Sequence, residues 1–129
     1  KTPFGNIGLM VCYDLRFPEL TLTLRAQDAN ILTAPSAFTY TTGQMHWQLL
    51  LQARGMDSQC QVLGAAQQGW HGEKRQTWGH SGAANSRGQL LSMVQDEGTQ
   101  LITVPFDLDE QSKIRESMPL MQHRRLLQF

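Results

Sequence analysis

The chain has 129 residues, 40% of them hydrophobic, enough to build one packed core. Its 11 basic and 11 acidic residues balance without forming a block or stripe of one sign, which argues against nucleic acid or an anionic membrane as a principal partner. No apolar stretch approaches the length of a membrane-spanning helix. Two cysteines, Cys12 and Cys60, fit neither a disulfide framework nor a zinc site, so a reducing, cytoplasmic setting is expected.

The chain opens at Lys1 and reaches a strand of buried type by Ile7. A complete domain usually places more sequence before its most deeply buried strand, so a fragment of a longer domain, or the remnant of a truncated gene, is expected. Ile7 to Val11 reads as that strand because it is short, apolar and β-branched at both ends. Helical periodicity follows almost at once, with Phe17, Leu20, Thr21 and Leu24 on one face and Pro18 suited to the first helical position. Cys12 therefore lies between a strand end and a helix start. Unpaired backbone N–H groups and the positive end of a helix dipole favour an anionic sulfur there. The N–H of Tyr13 is placed to meet an oxygen that turns negative when the sulfur attacks a carbonyl. The same spacing also suits a small buried hydrophobe, and the local context alone leaves both roles open.

A second strand, Ile31 to Ala34, ends at Pro35, which cannot donate to a ladder. Strand, helix, strand with a short return predicts a parallel, right-handed βαβ unit. Ser36 to Gly43 reads as a loop on the same sheet edge as Cys12, where open α/β sheets bind ligands. A helix from about Met45 to Ser58 places Arg54 on the stripe of Trp47, Leu50 and Leu51. Asp57, three residues on, is the expected partner, and substrate carboxylate binding is the alternative. Gly55 inside that helix costs about 1 kcal/mol relative to alanine and reads as a mild defect. Gln61 to Ala66 is a third strand with a structural Cys60 at its entrance, followed by a glycine-interrupted loop from Gln67 to Trp78 that carries His71, Glu73, Lys74 and Arg75.

Beyond residue 80 the pattern changes. Ser81–Asn85, Gln89–Val94 and Gln100–Phe106 read as strands with no helices between them, an antiparallel meander that makes the whole sheet mixed. Asn85 to Gly88 has the composition of a type I turn, and Asp96-Glu97-Gly98 marks the next turn. Asp107, with Glu110 three residues on, is expected to cap a final helix to about Ser117. The tail from Leu120 to Phe129 shows no obvious element. His46, His71, His80 and His123 include no zinc-ligand spacing, and the glycine pattern lacks a dinucleotide or phosphate loop, so neither a metal nor a cofactor is expected.

The wording of the motif Cys12-Tyr13-Asp14-Leu15-Arg16-Phe17-Pro18-Glu19 resembles the nucleophile motif of the nitrilase, or carbon–nitrogen hydrolase, superfamily. The resemblance is strongest to its Nit branch, which includes amidases of deaminated glutathione and ω-amidases. Pro35-Ser36-Ala37-Phe38, His46-Trp47, Ala53-Arg54, Gln59-Cys60, Glu73-Lys74-Arg75, Gly79-His80-Ser81 and Met118-Pro119 continue it in order. It implies an α/β fold: the C-terminal portion of a four-layer α-β-β-α sandwich with a mixed sheet, residues 1–129 forming a partial domain. It further implies a Cys12 thioester mechanism on a small carboxamide, the Tyr13 N–H as oxyanion donor, and Ser36 and Phe38 near the substrate. A homo-oligomer is implied for the full-length form. In the family the cysteine works with a glutamate base and a lysine, and no residue of this chain aligns with either. Two other readings stay open: a non-catalytic half-domain, and a thiol hydrolase or acyltransferase using Cys12 with His80.

Overall fold

The computed structural model describes residues 1–95 and 98–125. Asp96 and Glu97 of the turn expected at Asp96-Glu97-Gly98, and the last residues of the tail, lie outside that range. The chain runs β1 (Ile7–Leu9), a short 3-10 helix (Cys12–Arg16), α1 (Pro18–Ala26), β2 (Ile31–Thr33), α2 (Tyr40–Ser58) and β3 (Gln61–Gly64). It continues with β4 (Gln68–His71), β5 (Arg75–Trp78), β6 (Gly82–Ala84), β7 (Leu90–Met93), α3 (Leu108–Ser117) and α4 (Leu120–His123).

Five strands form one mixed sheet in the order β1-β2-β3-β6-β7. β1, β2 and β3 are parallel, as the two crossovers α1 and α2 require, and β6 and β7 join antiparallel. Gly8, Leu32, Val62 and Ala84 stand in one cross-strand row. Leu32, Val62 and Ala84 are fully buried there, in a core completed by Trp47 and Leu51 of α2 and by Met10 and Leu15. Small residues let the helices come close: a Cβ on Gly64 would meet the Trp47 ring of α2 at 2.7 Å, and one on Gly8 would meet Leu24 of α1 at 3.2 Å.

The opposite face is covered unevenly. Ala83 is buried, whereas Leu9 is 74% exposed and Val11 61%. β1 is expected to be the most buried strand; it is an edge strand flanked by β2 alone, and the face that carries Leu9 is open while the face of Gly8 is covered.

α3 closes the other end of the sheet. Asp107 Oδ1 accepts from the N–H groups of Asp109 and Glu110, at 2.8 and 3.0 Å, which is the cap the sequence announces. Gln111 Nε2 donates to Asn30 O and to Ser86 Oγ, both at 2.9 Å. Arg115 donates to the carbonyls of Ala29 and Gln59, so two side chains of one helix tie down the entrances of β2 and β3.

Several sequence expectations are corrected. The Gln67–Trp78 loop is a β-hairpin, β4 paired with β5, whose glycines 69 and 72 take up left-handed backbone. α2 begins at Tyr40, so half of the expected 36–43 loop is helix. Gln100–Phe106 forms no ladder among the described residues: its exposure alternates, yet Leu101 is 94% exposed and nothing pairs with it. α4 adds a helical turn to the tail. Gly55 is required where it stands, since a Cβ there would lie 2.5 Å from the backbone oxygen of Asn85. Phe17 precedes α1 and is exposed, which leaves Leu20, Thr21 and Leu24 to face the core.

Candidate active site

Three parallel strands deliver their following residues to one edge: Cys12 after β1, Pro35 and Ser36 after β2, Ala65 and Ala66 after β3. The antiparallel β6 starts at this edge, so His80 and Ser81, just before it, arrive at the same place. Together with the β4–β5 hairpin these residues line an open cavity of about 1010 Å³. That is the carboxyl edge, where open α/β sheets hold their ligands.

Cys12 stands on this wall, half-buried, with its backbone in the left-handed region at φ 47°. A non-glycine residue in that region costs of order 1–3 kcal/mol and persists only where its surroundings enforce it. Here the Cys12 N–H donates to Pro35 O at 2.9 Å, extending the β1–β2 pairing past the strand ends. The turn then locks reciprocally: Val11 N donates to Asp14 Oδ2 at 2.8 Å, and Asp14 N donates to Val11 O at 3.0 Å. The Tyr13 N–H, which lies between those two used donors, has no acceptor among the described residues. Asp14 is thereby a turn-forming carboxylate whose oxygen faces backbone.

The cavity wall is neutral among the described residues apart from the imidazole of His80. Its hydroxyls are largely committed. Ser36 Oγ donates to Ala34 O at 2.9 Å, and Ser81 Oγ accepts from Ala66 N at 2.8 Å. Thr77 Oγ1 pairs with His71 Nε2 at 2.7 Å. Glutamine side chains, Tyr40 and the indoles of Trp70 and Trp78 supply the rest.

Ser36 is on the wall as expected, with its hydroxyl turned to backbone. Phe38 is not. It is buried against Trp47, with ring centroids 5.3 Å apart, because the chain turns inward to start α2. Glu73 and Lys74 sit at the hairpin turn away from the wall, and Arg75 reaches back to Ala37 O at 3.3 Å. Arg54 pairs with Asp57 at 3.0 Å and donates to Leu15 O, so it is a structural cation. Cys60 lies at the opposite end of β3, fully buried, and donates to Ala29 O. Burial pushes its thiol up, against the pull of Ser58 and Arg115.

Sequence reasoning missed the aromatic wall. Tyr40 meets Trp78 edge-on at 5.1 Å, and Trp78 stacks on His80 at 4.0 Å. Trp70, Gln76 and Trp78, at even steps on either side of Gly72, are the available signal for the hairpin that builds it.

Deaminated glutathione amidase from Yersinia enterocolitica is 44% identical to the chain over 126 residues, covering 98% of this chain and 44% of its own length. The crystal structure of the Caenorhabditis elegans NitFhit protein matches with a TM-score of 0.87 and 42% identity, over 96% of this chain and 30% of that one. An amidase from Nesterenkonia, solved as a mutant with the acetamide moiety of fluoroacetamide added covalently at its active site cysteine, matches 68% of this chain and 33% of its own. That match has a TM-score of 0.61 and 28% identity. The chain thus spans less than half the length of each of these proteins. With the carbon–nitrogen hydrolase pattern running through residues 1–116, and a Nit-branch protein sharing both the sequence and this sheet, the chain belongs to the carbon–nitrogen hydrolase family.

Proposed function

We propose that this chain carries the nucleophile of an amidase that hydrolyses a small, non-peptide carboxamide through a thioester on Cys12. The geometry of Cys12 carries this reading: a strained residue at the carboxyl edge, open to the cavity, followed by a Tyr13 N–H without an acceptor among the described residues. The sulfur attacks the carbonyl carbon, and the oxygen that becomes negative lies against the Tyr13 N–H. The C–N bond then breaks, ammonia leaves with the proton taken from the thiol, and water hydrolyses the thioester to the acid. The covalent adduct at the Nesterenkonia enzyme's cysteine, which retains the acetamide moiety, supports a nucleophilic sulfur at this position. The name of the Yersinia relative supports deaminated glutathione, or a related ω-amide, as substrate.

The reading needs a general base and a second oxyanion donor. Among the described residues no carboxylate or ammonium group lines the cavity, so both are assigned to the part of the relatives that this chain does not match, where the resemblance puts a glutamate and a lysine. Loss of a general base removes about 10²–10⁴ in rate, and loss of an oxyanion donor about 10²–10³. Residues 1–129 alone should therefore show no useful turnover. The exposed β1 face supports a second reading, a half-domain that acts only as a packing or oligomerising module. Its two free thiols fit the reducing cytoplasm. Supplying the unmatched part of the Yersinia enzyme as a second chain tests the proposal. Ammonia release from an ω-amide that vanishes in Cys12→Ala is expected; equal release by Cys12→Ala would overturn it.

A further inference from the structure

His80 is the second non-glycine residue on the cavity wall held in left-handed backbone, at φ 61°, directly after Gly79 at φ 71°. Three contacts fix it. Its carbonyl accepts from Trp47 Nε1 at 2.7 Å, its ring stacks on the Trp78 indole with planes 9° apart, and its Nδ1 lies 2.7 Å from the carbonyl oxygen of Trp78. Gly79 cannot be relaxed to another residue, since a Cβ there would lie 2.5 Å from Gln68. So much enforcement around a strained residue directs attention to what its remaining edge does.

A carbonyl oxygen only accepts, so the Nδ1 facing Trp78 must carry the proton. In the neutral ring that leaves Nε2 as a lone pair with no hydrogen to give. With one ring face covered by indole and Nδ1 used, the Nε2 edge is the polar group His80 has left for the cavity. Among the side chains of the described wall it stands apart as an acceptor with no proton: the glutamine amides and the hydroxyls of Tyr40 and Thr99 both donate and accept, and the hydroxyls of Ser36, Thr77 and Ser81 are engaged with their neighbours.

Resting on the amidase reading above, we propose that His80 Nε2 is a substrate-contacting acceptor that selects the N–H of a primary carboxamide. An acceptor without a proton pairs with the NH₂ of the amide and faces lone pairs on the carboxylate left after hydrolysis. The residue therefore separates substrate from product and amide from ester. This role differs from that of a base for Cys12, since it holds the substrate's nitrogen and takes no proton from sulfur.

The chain itself permits a test that needs no general base. Iodoacetamide and methyl iodoacetate both alkylate a thiol: the S–C bond forms, iodide leaves with its electron pair, and the thiol proton goes to solvent. Only the first reagent carries N–H. The ratio of their rates at Cys12, read by peptide mass and divided by the ratio for free cysteine, reports recognition of the amide. Buried Cys60 serves as the internal blank. One neutral hydrogen bond corresponds to a preference of about three- to tenfold. His80→Phe keeps a stacking ring and should bring the normalised ratio to about one while the ester rate holds, whereas an unchanged ratio overturns the proposal. Should His80→Phe abolish the preference but slow the ester as well, His80→Gln decides: its side-chain oxygen restores an acceptor, so recovery of the preference supports the proposal and its absence overturns it. The amidase reading fails separately, through Cys12-independent ammonia release.

Discussion

Replacing Gly55 by alanine sets helix propensity directly against packing. In an open helix the change would stabilise by about 1 kcal/mol. In this fold the new Cβ starts 2.5 Å from Asn85 O and must retreat by at least 0.5 Å to reach the 3.0 Å that real contacts respect. The obstacle is backbone and cannot swing aside. Asn85 O accepts from Gly88 N at 2.9 Å, and Asn85 Oδ1 accepts from both Arg87 N and Gln89 N. Gln52 Nε2 of α2 donates to Gly88 O at 2.8 Å, which pins the turn from the helix side as well. Moving α2 instead would disturb Trp47 and Leu51 over the sheet. Overpacking a rigid site costs about 1–3 kcal/mol, to which the undelivered propensity gain is no remedy. We expect a net loss of about 1–2 kcal/mol, which for a domain of this size lowers the melting temperature by about 4–8 °C. Thermal unfolding followed by circular dichroism at 222 nm measures it. A melting temperature equal to or above that of the parent would refute the close approach of α2 and the β6–β7 turn.

Cys12→Ala should abolish adduct formation by carboxamide electrophiles and leave the melting temperature unchanged within a degree or two. Cys60→Ala should instead cost about 1–2 kcal/mol through lost packing, with Cys12 alkylation intact. The folded protein retains the Cys60 proton that the unfolded chain releases above about pH 8.5, so stability should fall as pH rises through that range. Cys60→Ala should flatten this alkaline decline, and a slope identical to the parent's would contradict the buried thiol. Asp57→Ala removes the carboxylate from a guanidinium that is almost wholly buried. A loss of about 2 kcal/mol is expected, discounted because Asp57 itself is partly exposed; an unchanged denaturant midpoint would contradict it. Leu9→Lys, on the open face of β1, should reduce self-association in light scattering at a cost below about 1 kcal/mol in the monomer. Unchanged particle size would show that this face does not drive association.

Much of the fold was legible because local signals agreed. Ile7, Ile31 and Val62 open or sit in short apolar runs separated by helical periodicity, and the parallel β1-β2-β3 core follows from that alternation. The Asp107 cap and the Asn85–Gly88 turn are fixed by side chains bonding their own neighbours, which a sequence displays directly. The failures share a cause. Gln100–Phe106 alternates like a strand, but a ladder needs a partner, and local pattern cannot supply one. Ile7–Val11 is apolar as a doubly covered strand is, while its actual edge position depends on strand order. Gly55 read as a defect because propensity is local and the Asn85 carbonyl lies thirty residues away in sequence. The candidate site divides in the same way. The strand-to-helix turn at Cys12 and Tyr13 is legible from local pattern, which by itself leaves the role of Cys12 open, whereas Phe38, placed near the substrate by resemblance, lies in the core. His80 acquires its fixed tautomer and strained backbone only when Trp47 and Trp78 close around it.

The sheet is built asymmetrically, and the asymmetry relates stability to chemistry. At the amino ends of β2 and β3 the carbonyls of Ala29, Asn30 and Gln59 are collected by Arg115 and Gln111, leaving that edge sealed. At the carboxyl edge the side-chain hydroxyls and several backbone groups are satisfied locally, yet a wide cavity stays open and two residues keep strained backbone. Strain is sustainable there because Pro35, Trp47 and Trp78 each bond the backbone or ring of the residue concerned. Cys12 depends on the β1–β2 pairing, and β1 is held on one side only. The strand that delivers Cys12 is therefore also the one with an exposed apolar face and a single flanking strand. On the proposed amidase reading, a surface packed on Leu9 and Val11 would steady the register that places Cys12 and Tyr13, so covering this face would raise the reactivity of Cys12 together with the stability of the sheet.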